Sequence, residues 1–382
     1  MHKLYTTLAT LLLALLALLP ITLAQAATQV ALVTTLAGSA GVDGSADGSG
    51  STARFSDPSG VALSADGAIA LVVDTQNHTI RKLLPASGEV TTLAGSPRAN
   101  GSANGVGSAA RFFHPEGVAL SADGTIALVA DTDNHTIRKI VVATGEVTTL
   151  AGRPGSPGDA NGIGEVARFS SPAGIALVIG FALVADTGNH AIRRIDITNG
   201  AVTTVAGMLG SAGDADGVGA TVRFSAPRGV ALSADGNTAL VADTGNHTLR
   251  TLVVATGEVA TLAGSPGLPG SANGVGAAAR FRYPRGVALS ADGSTALVAD
   301  FSNSVVRVIA LATGSVTTLA GTPNSTGSVD GVGTGACFAF PAGIALSGDG
   351  TTVLVADPDN QSIRRIGFVV VSPRVALPLV QR

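Results

Sequence analysis

The stretch Ala127–Lys139, ALVADTDNHTIRK, decides the fold of this chain because close variants of it occur six times. Most copies lead into a segment close to GEVTTLAG and then into ARF. Successive copies are 57, 55, 57, 57 and 57 residues apart, measured between the aspartates that follow ALVA. A repeat of this size and regularity is typical of a solenoid, an array or a propeller, and any chemistry assigned to one copy has to account for the other five.

One repeat predicts four short strands. In the second copy they are Gly117–Leu120, Ile126–Ala130, Thr136–Val142 and Glu146–Ala151, separated by turns rich in Gly, Asp and Asn. Tight turns between such runs indicate an antiparallel meander, and runs that are almost continuously apolar indicate a sheet covered on both faces. The chain is therefore predicted to be an all-β, six-bladed β-propeller with four-stranded blades.

The two ends of the repeat region predict how the ring closes. The segment Ala31–Gly38, ALVTTLAG, matches the fourth strand of a repeat but has no first three strands before it. The last repeat starts at Pro341 and lacks a fourth strand. We therefore expect the N-terminal strand to complete the last blade, which removes the free edges of an open array.

The N-terminus predicts export. Lys3, the apolar run Leu8–Leu23 and the A-x-A site Ala24–Ala26 are typical of a secretory signal, with an uncleaved anchor as the alternative. The predicted division is a signal at 1–26, a propeller at 27–368 and a tail at 369–382. We expect a secreted or extracytoplasmic monomer without a membrane span after cleavage. A net charge of −3 argues against nucleic acid as a partner.

Several phrases of the repeat resemble those of the NHL repeat family. DTxNHTIRK, GEVTTLAG, GSADGxGxxARF and PxGVAL carry the resemblance, which covers residues 30–367. It implies the propeller fold and says little about function, since NHL propellers bind proteins, RNA or small molecules or act as lyases. The RNA-binding members have a basic surface, and the lyase members use a metal held by His residues from different blades. The His residues of this chain sit in the repeated turn and do not map onto that site.

The repeated Asp and Arg residues are expected to be structural. Each Asp ends a strand before a tight turn, where a carboxylate commonly accepts hydrogen bonds from the turn. An Arg follows seven residues later in every copy and is a candidate partner; a ring of ligand-facing carboxylates is the alternative. The positions are Asp74, Asp131, Asp186, Asp243, Asp300, Asp357, Arg81, Arg138, Arg193, Arg250, Arg307 and Arg364.

Two features of the repeat contain residues that can bind metal ions. His follows Asn in four copies (His78, His135, His190 and His247), but turns on separate blades should hold these imidazoles too far apart to share an ion. They are interpreted as turn-capping residues, and no metal site is predicted. The six Asp-Gly or Asn-Gly loops suit calcium, with Asp214–Gly217 richest in oxygen, yet they equally suit left-handed turns. Calcium binding by these loops is left as an alternative, and the sequence requires no cofactor.

Departures from the repeat point to a binding patch. The residues around the Pro that begins each blade differ from copy to copy, and this position should lie near the channel mouth. The predicted patch, on the face with the DTxNH turns, comprises His114, Glu116, Arg228, Arg282, Tyr283 and Arg285. We expect an interaction module that binds a protein, peptide or carbohydrate there. The alternatives are a metal-dependent lyase or lactone hydrolase at the central channel, and a structural element of the cell surface. No catalytic residue is predicted.

Overall fold

Each repeat folds into a sheet, with one strand more than the sequence predicts. The computed structural model describes residues 28–371, so the predicted signal and the predicted tail beyond Val371 lie outside the described residues. Over that range the chain forms six sheets of five strands and no α-helix. The six-bladed, all-β propeller is therefore confirmed, and the count of four strands per blade is corrected to five.

The blades are numbered by the chain order of their innermost strands. The innermost strands are β3 (Pro58–Leu63), β8 (Gly117–Leu120), β13 (Pro172–Val178), β18 (Gly229–Leu232), β23 (Pro284–Leu289) and β28 (Ile344–Leu346). The second strands are β4 (Ala70–Asp74), β9 (Ile126–Asp131), β14 (Phe181–Asp186), β19 (Thr238–Asp243), β24 (Thr295–Asp300) and β29 (Thr352–Asp357). The third strands are β5 (Thr79–Leu84), β10 (Thr136–Val141), β15 (Ala191–Asp196), β20 (Thr248–Val253), β25 (Val305–Ala310) and β30 (Ser362–Val371).

Two further strands complete the outer side of each blade. The fourth strands are β6 (Glu89–Gly95), β11 (Glu146–Ala151), β16 (Ala201–Ala206), β21 (Glu258–Gly264), β26 (Ser315–Ala320) and, in the last blade, β1 (Thr28–Gly38). The outermost strands have two residues each: β2 (Gly48–Ser49), β7 (Gly105–Val106), β12 (Gly162–Ile163), β17 (Gly217–Val218), β22 (Gly274–Val275) and β27 (Gly331–Val332).

Short 3-10 helices mark two turns of every repeat. One follows the second strand: Thr75–Asn77, Thr132–Asn134, Thr187–Asn189, Thr244–Asn246, Phe301–Asn303 and Pro358–Asn360. The other follows the outermost strand: Gly50–Thr52, Gly107–Ala109, Gly164–Val166, Gly219–Thr221, Gly276–Ala278 and Gly333–Gly335.

The unexpected fifth strand comes from the long connection between blades. In blade 2, Gly105 and Val106 pair antiparallel with Val147 and Glu146 of β11. The connection then reaches the turn at the far end of the blade, where Gly107 N–H donates to Gly145 O at 2.9 Å. The connection therefore does not stay on the face of the DTxNH turns. Two residues are too few to show an alternating pattern, so pairing along the outer edge could not be predicted.

Ring closure follows the prediction. β1 lies between β27 and β30 in the sheet of the last blade, and Leu32 and Val33 pair with Val332 and Gly331. A strand from the start of the repeat region thus occupies the place of the missing fourth strand. The closed ring gives every blade a neighbour on both sides, and β1 covers the edge of β30 that would otherwise be unpaired.

The core lies between neighbouring blades. Between blades 1 and 2, for example, Leu71 and Val73 of β4 pack with Val118 and Val129 of blade 2 and with Phe112 of the connection. All five residues of β4 are buried, which explains the nearly continuous apolar runs of the sequence. Because each core is shared by two blades, one blade cannot bury its apolar faces alone.

The propeller belongs to one compact unit, Ala31–Phe368. The described ends of β1 and β30, Thr28–Val30 and Val369–Val371, belong to a second and smaller unit. Among the described residues there is no helix of the length and apolarity that crossing a bilayer requires.

Candidate functional site at the channel mouth

The central cavity is lined by the innermost strands of all six blades. Its volume is about 100 Å³, enough for a few water molecules or for the end group of a ligand. Each blade contributes the residue after its Pro, then a Gly, then Val or Ile. The residues after Pro are Ser59, Glu116, Ala173, Arg228, Arg285 and Ala342 in blade order, so this ring does not have six-fold symmetry.

This ring lies on the face that carries the DTxNH turns. In blade 1, Ser59 Oγ is 2.6 Å from Thr75 Oγ1 in the turn, and Pro58 pairs with Asp74. The Gly that follows is needed because neighbouring blades touch there. A Cβ on Gly174 would lie 1.9 Å from Arg228 O of the next blade. The backbones of neighbouring blades are therefore in contact at these glycines. The side chains of the residues after Pro, one position earlier, form the mouth of the channel.

One side of the mouth holds an ion pair between two blades that are not neighbours. Arg228 Nη1 of blade 4 donates to Glu116 Oε2 of blade 2, and about 30% and 28% of these side chains are exposed. Blade 3 lies between them and contributes only Ala173, whose small side chain leaves room for the pair. The pairing neutralises one of the two arginines of the ring.

The other arginine, Arg285, is held by aromatic contact. Its guanidinium carbon lies 3.5 Å from the centroid of the Phe301 ring, which in turn packs against Phe340 at 5.3 Å. Among residues 28–371, its side chain makes no hydrogen bond and no ion pair, and its Nε is buried without a partner. Burial and the nearby Arg228 lower the pKa of Arg285 to about 10, although Glu116 and Asp57 oppose this shift.

Asp57 adds a carboxylate near this group. Burial raises the pKa of Asp57, while Arg285 lowers it and Asp359 and Glu116 raise it further. The mouth therefore combines two arginines with three carboxylates whose charges influence one another. Its net charge is small, and its polarity varies from one side to the other.

The six residues of the predicted patch do not all meet in the cavity. Glu116, Arg228 and Arg285 line it. His114 lies outside the lining, where its Nδ1 is 2.7 Å from Asp133 Oδ2. Tyr283 is 46% exposed and packs on His247 at 4.4 Å.

Arg282 is exposed at the rim, and its backbone N–H donates to Asp300 at 2.8 Å. Phe301, Phe340 and Asp57 also differ from the corresponding residues of the other copies, and they are not part of the predicted patch. Phe301 contacts Arg285 within the fifth blade, and Phe340, which precedes the last blade, packs on Phe301.

The four repeated histidines join neighbouring blades. Nδ1 of His190 accepts the backbone N–H of Ala226 in the next blade at 3.0 Å, and the other three make the equivalent contact at 3.1–3.3 Å. The residue at this position, just before the Pro, has a positive φ in every blade, for example 45° at Ala226. Gln361 replaces His in the last copy and accepts the N–H of Asp57 at 2.7 Å. The interpretation as turn caps thus missed that the side chain bonds the neighbouring blade.

The repeated aspartates are buried hydrogen-bond acceptors. In blade 2 Asp131 is inaccessible to solvent and accepts the backbone N–H of Phe113 and the amide of Asn134, both at 2.8 Å. Arg138 Nη1 donates to the same carboxylate at 2.8 Å. The pKa of Asp131 is raised to about 6, because the effect of burial exceeds the opposing effect of Arg138 and the other hydrogen-bond donors. The equivalent carboxyls of the other blades shift alike.

The repeated arginines tie the connection to the blade. Arg138 also donates to Arg111 O, to Ala103 O and to Asn104 Oδ1, at 2.8–3.0 Å. Its guanidinium lies over the ring of Phe112 at 5.2 Å. The same pairs occur in all six blades. The repeated carboxylates are buried and do not line the cavity.

The Asp-Gly and Asn-Gly loops, considered for calcium, serve the same network. Asp47 Oδ1 accepts from Arg81 Nη2 at 2.7 Å and from Thr92 at 2.9 Å. Asp216, in the loop richest in oxygen, accepts from Arg250 and Thr261. Over the described range, no three His, Cys, Asp or Glu residues are placed to hold one metal ion.

The comparisons with known proteins agree with this architecture. A model of the NHL repeat matches residues 224–252, which lie in blade 4 and include its DTGNH turn. The chain is an NHL-repeat β-propeller. It is 28% identical over 325 residues to NHL repeat-containing protein 2 of Bos taurus, an alignment that covers 77% of this chain and 44% of that protein.

Other relatives extend the likeness without deciding a function. The NHL propeller is 32% identical over 286 residues to the chloroplastic protein SUPPRESSOR OF QUENCHING 1 of Arabidopsis thaliana. This alignment covers 72% of this chain and 27% of that protein. The chain thus spans less than half the length of these curated relatives. An auxiliary nutrient binding protein of Bacteroides thetaiotaomicron shares the fold, with a TM-score of 0.65 and 16% identity over 89% of this chain and 77% of that one.

Proposed function

We propose that this NHL propeller is an exported binding module whose ligand or partner docks at the channel mouth on the DTxNH face. The observation that carries the proposal is the ring of residues after Pro. The scaffold is repeated six times, but the residues of this ring are Ser, Glu, Ala, Arg, Arg and Ala in blade order. Together they surround the cavity. Charged side chains that the fold does not require, placed on a rigid rim, are typical of recognition.

The repeated polar groups of the turns on this face are occupied by structural contacts. The Asp and Arg of each turn bond one another, and the four histidines accept backbone N–H groups. The charged residues of the ring after Pro, in contrast, differ between blades and face a cavity. A lyase or lactone hydrolase needs a shared metal or an acid–base pair at the axis, and the described side chains give less support for that function than for binding.

Export rests on the sequence. Lys3, the apolar run Leu8–Leu23 and the A-x-A site Ala24–Ala26 have the order of a secretory signal. The likeness to an auxiliary nutrient binding protein is one of fold and is compatible with an exported binding protein. Expression of the full chain with a fractionation of cells and medium tests this part, and retention of the intact N-terminus inside the cell contradicts it.

Mouth variants test the binding site. Glu116→Gln and Arg228→Met together remove the ion pair without changing the buried scaffold. Thermal unfolding of the wild type and of this variant is followed in the presence of sugars, peptides and small acids. A ligand at 100 times its Kd stabilises the folded state by about 2.7 kcal/mol. We expect each ligand that stabilises the wild type to bind the variant with an affinity at least fivefold lower.

The control removes a cation far from the mouth. Lys139→Met lies on β10, a third strand away from the axis, and should leave every hit unchanged. A hit that stabilises the wild type and the mouth variant equally binds elsewhere and contradicts the proposal. Metal analysis of the purified protein, with a lactone-hydrolysis assay, tests the enzyme alternative in parallel.

A further inference from the structure

Arg285 differs from the repeated arginines in what its terminal nitrogens contact. Each repeated arginine, such as Arg138, bonds carboxylate and carbonyl oxygens through both of its terminal nitrogens. Arg285 is half-buried, and among residues 28–371 its side chain bonds no acceptor, with only its Nε fully enclosed. Its terminal nitrogens are therefore available to an anion that enters the cavity it lines.

The aromatic neighbours of Arg285 orient its free edge. Four blades carry Thr at the position of Phe301, and that Thr donates to the carbonyl of the next blade's Pro, as Thr187 does to Pro227 at 2.7 Å. Phe301 cannot donate and instead covers one face of the guanidinium. The N–H donors of a guanidinium point outward in its own plane. A planar group with two oxygens can therefore be bound edge to edge at the cavity.

The surrounding charges limit what this anion can be. Arg228 is already neutralised by Glu116, so Arg285 supplies the available positive charge. Asp57, Asp359 and Glu116 are near enough to stabilise the protonated form of Arg285 and would repel a second negative charge. A singly charged group fits this balance better than a doubly charged phosphate. The cavity of about 100 Å³ accommodates the end of a small ligand.

We propose that Arg285 anchors the carboxylate of a small monocarboxylate ligand, with Phe301 as the shelf that holds the guanidinium in place. This inference rests on the proposed binding function and names the ligand chemistry of that site. Phe340, which packs on Phe301, extends the apolar surface beside the carboxylate. The ligand therefore carries an apolar or aromatic portion next to its acid group.

Benzoate, benzamide and inorganic phosphate are the probes, because benzamide has the shape of benzoate without its charge. Binding to the wild-type chain is measured by ligand-observed NMR titration at constant ionic strength. We expect benzoate to bind at least tenfold more tightly than benzamide and more tightly than phosphate. Equal affinities for benzoate and benzamide, tighter binding of phosphate, or no benzoate binding up to 100 mM would each overturn the inference.

Three variants locate the site. Arg285→Met should weaken benzoate at least tenfold, and Phe301→Thr, the residue of four other blades, should weaken it severalfold while the protein stays folded by circular dichroism. Arg153→Met removes an exposed cation outside the predicted patch and should change the affinity less than twofold. Benzoate binding that survives Arg285→Met, or that falls equally in Arg153→Met, contradicts an Arg285 site.

The outcome is separable from that of the proposed function. If carboxylates fail to bind while another ligand is weakened by the Glu116→Gln and Arg228→Met changes, the carboxylate inference falls and the binding site at the mouth stands. If no ligand is sensitive to any mouth variant, both fall.

Discussion

At the scale of single residues, the repeated turn is a network of buried polar groups that serve one another. The Asp carboxylate of each turn accepts a backbone N–H, an Asn amide and an Arg guanidinium, and that Arg reaches the connection from the previous blade. Breaking a buried pair on one side typically costs about 3–5 kcal/mol because the other charge stays buried. The sequence predicted the pairing from a seven-residue spacing that is the same in every copy.

The histidine contacts between blades predict a specific acid sensitivity. Burial lowers the pKa of His78, His135, His190 and His247 below 6.5, and protonation would remove the acceptor from the bonded N–H. The folded state thus binds these protons less readily than the unfolded chain. This part of the stability is present above pH 6.5 and is lost as the pH falls through the lowered pKa values.

A variant with all four histidines changed to Gln tests this origin, since Gln361 makes the same contact in the native chain. Urea unfolding of both proteins is measured between pH 7 and pH 5. The free energy of unfolding of the wild type should fall more steeply on acidification than that of the variant. The difference in slope corresponds to the uptake of up to about one proton per histidine on unfolding. The raised aspartate pKa values act in the opposite direction and are common to both proteins. Parallel pH profiles would show that the imidazoles do not titrate with unfolding.

At the scale of strands and turns, the chain joins blades in a way that its local pattern hides. The connection lies along the outer edge of the blade as a two-residue strand, then returns through a buried Phe to the Pro of the innermost strand. Strand bounds in the second repeat agree with the prediction to within one residue. The fifth strand was missed because it is identified by its pairing partner and not by its own composition.

The innermost strands predict a strict steric requirement. Gly174→Ala places a Cβ 1.9 Å from Arg228 O of the next blade, so the two backbones have to separate. Overlap of this degree should cost about 3 kcal/mol or more in the free energy of unfolding, measured with urea. The matched control is Gly367→Ala in β30, where a Cβ meets nothing within 4 Å; its effect should stay below about 1 kcal/mol. Similar costs for both variants would contradict the contact between blades.

At the scale of the whole molecule, closure of the ring is carried by β1. This strand buries Ala31 and Val33 in the core between the fifth and last blades, and Ala37 in the core between the last and first blades. The side chain of Gln361 in that blade also bonds the backbone of Asp57 in the first. The first and last blades are therefore joined both by strand pairing and by the same kind of contact that joins the others.

Loss of β1 should open the ring. Deletion of residues 31–38 is expected to cost roughly 5 kcal/mol or more, since burial of one side chain such as Val33 contributes about 1.5–3 kcal/mol. Thermal unfolding measures the loss, and a synthetic peptide of residues 28–38 should restore part of it. The same peptide with Val33→Asp, which would bury a charge, should not. A deletion variant as stable as the parent refutes closure by this strand.

The sequence alone determined the number of blades, the closing strand and the Asp–Arg pairs, because these depend on local patterns that recur at fixed spacing. It also indicated that the departures from the repeat lie around the Pro of each blade. Only the tertiary structure decided which of them meet: Glu116 with Arg228 across 112 residues, and Phe301 of the fifth blade with Phe340, which precedes the last blade. The ring brings one residue of each blade to a common axis, and side-chain length and neighbouring contacts then select the pairs. Spacing along the chain carries no information about that selection.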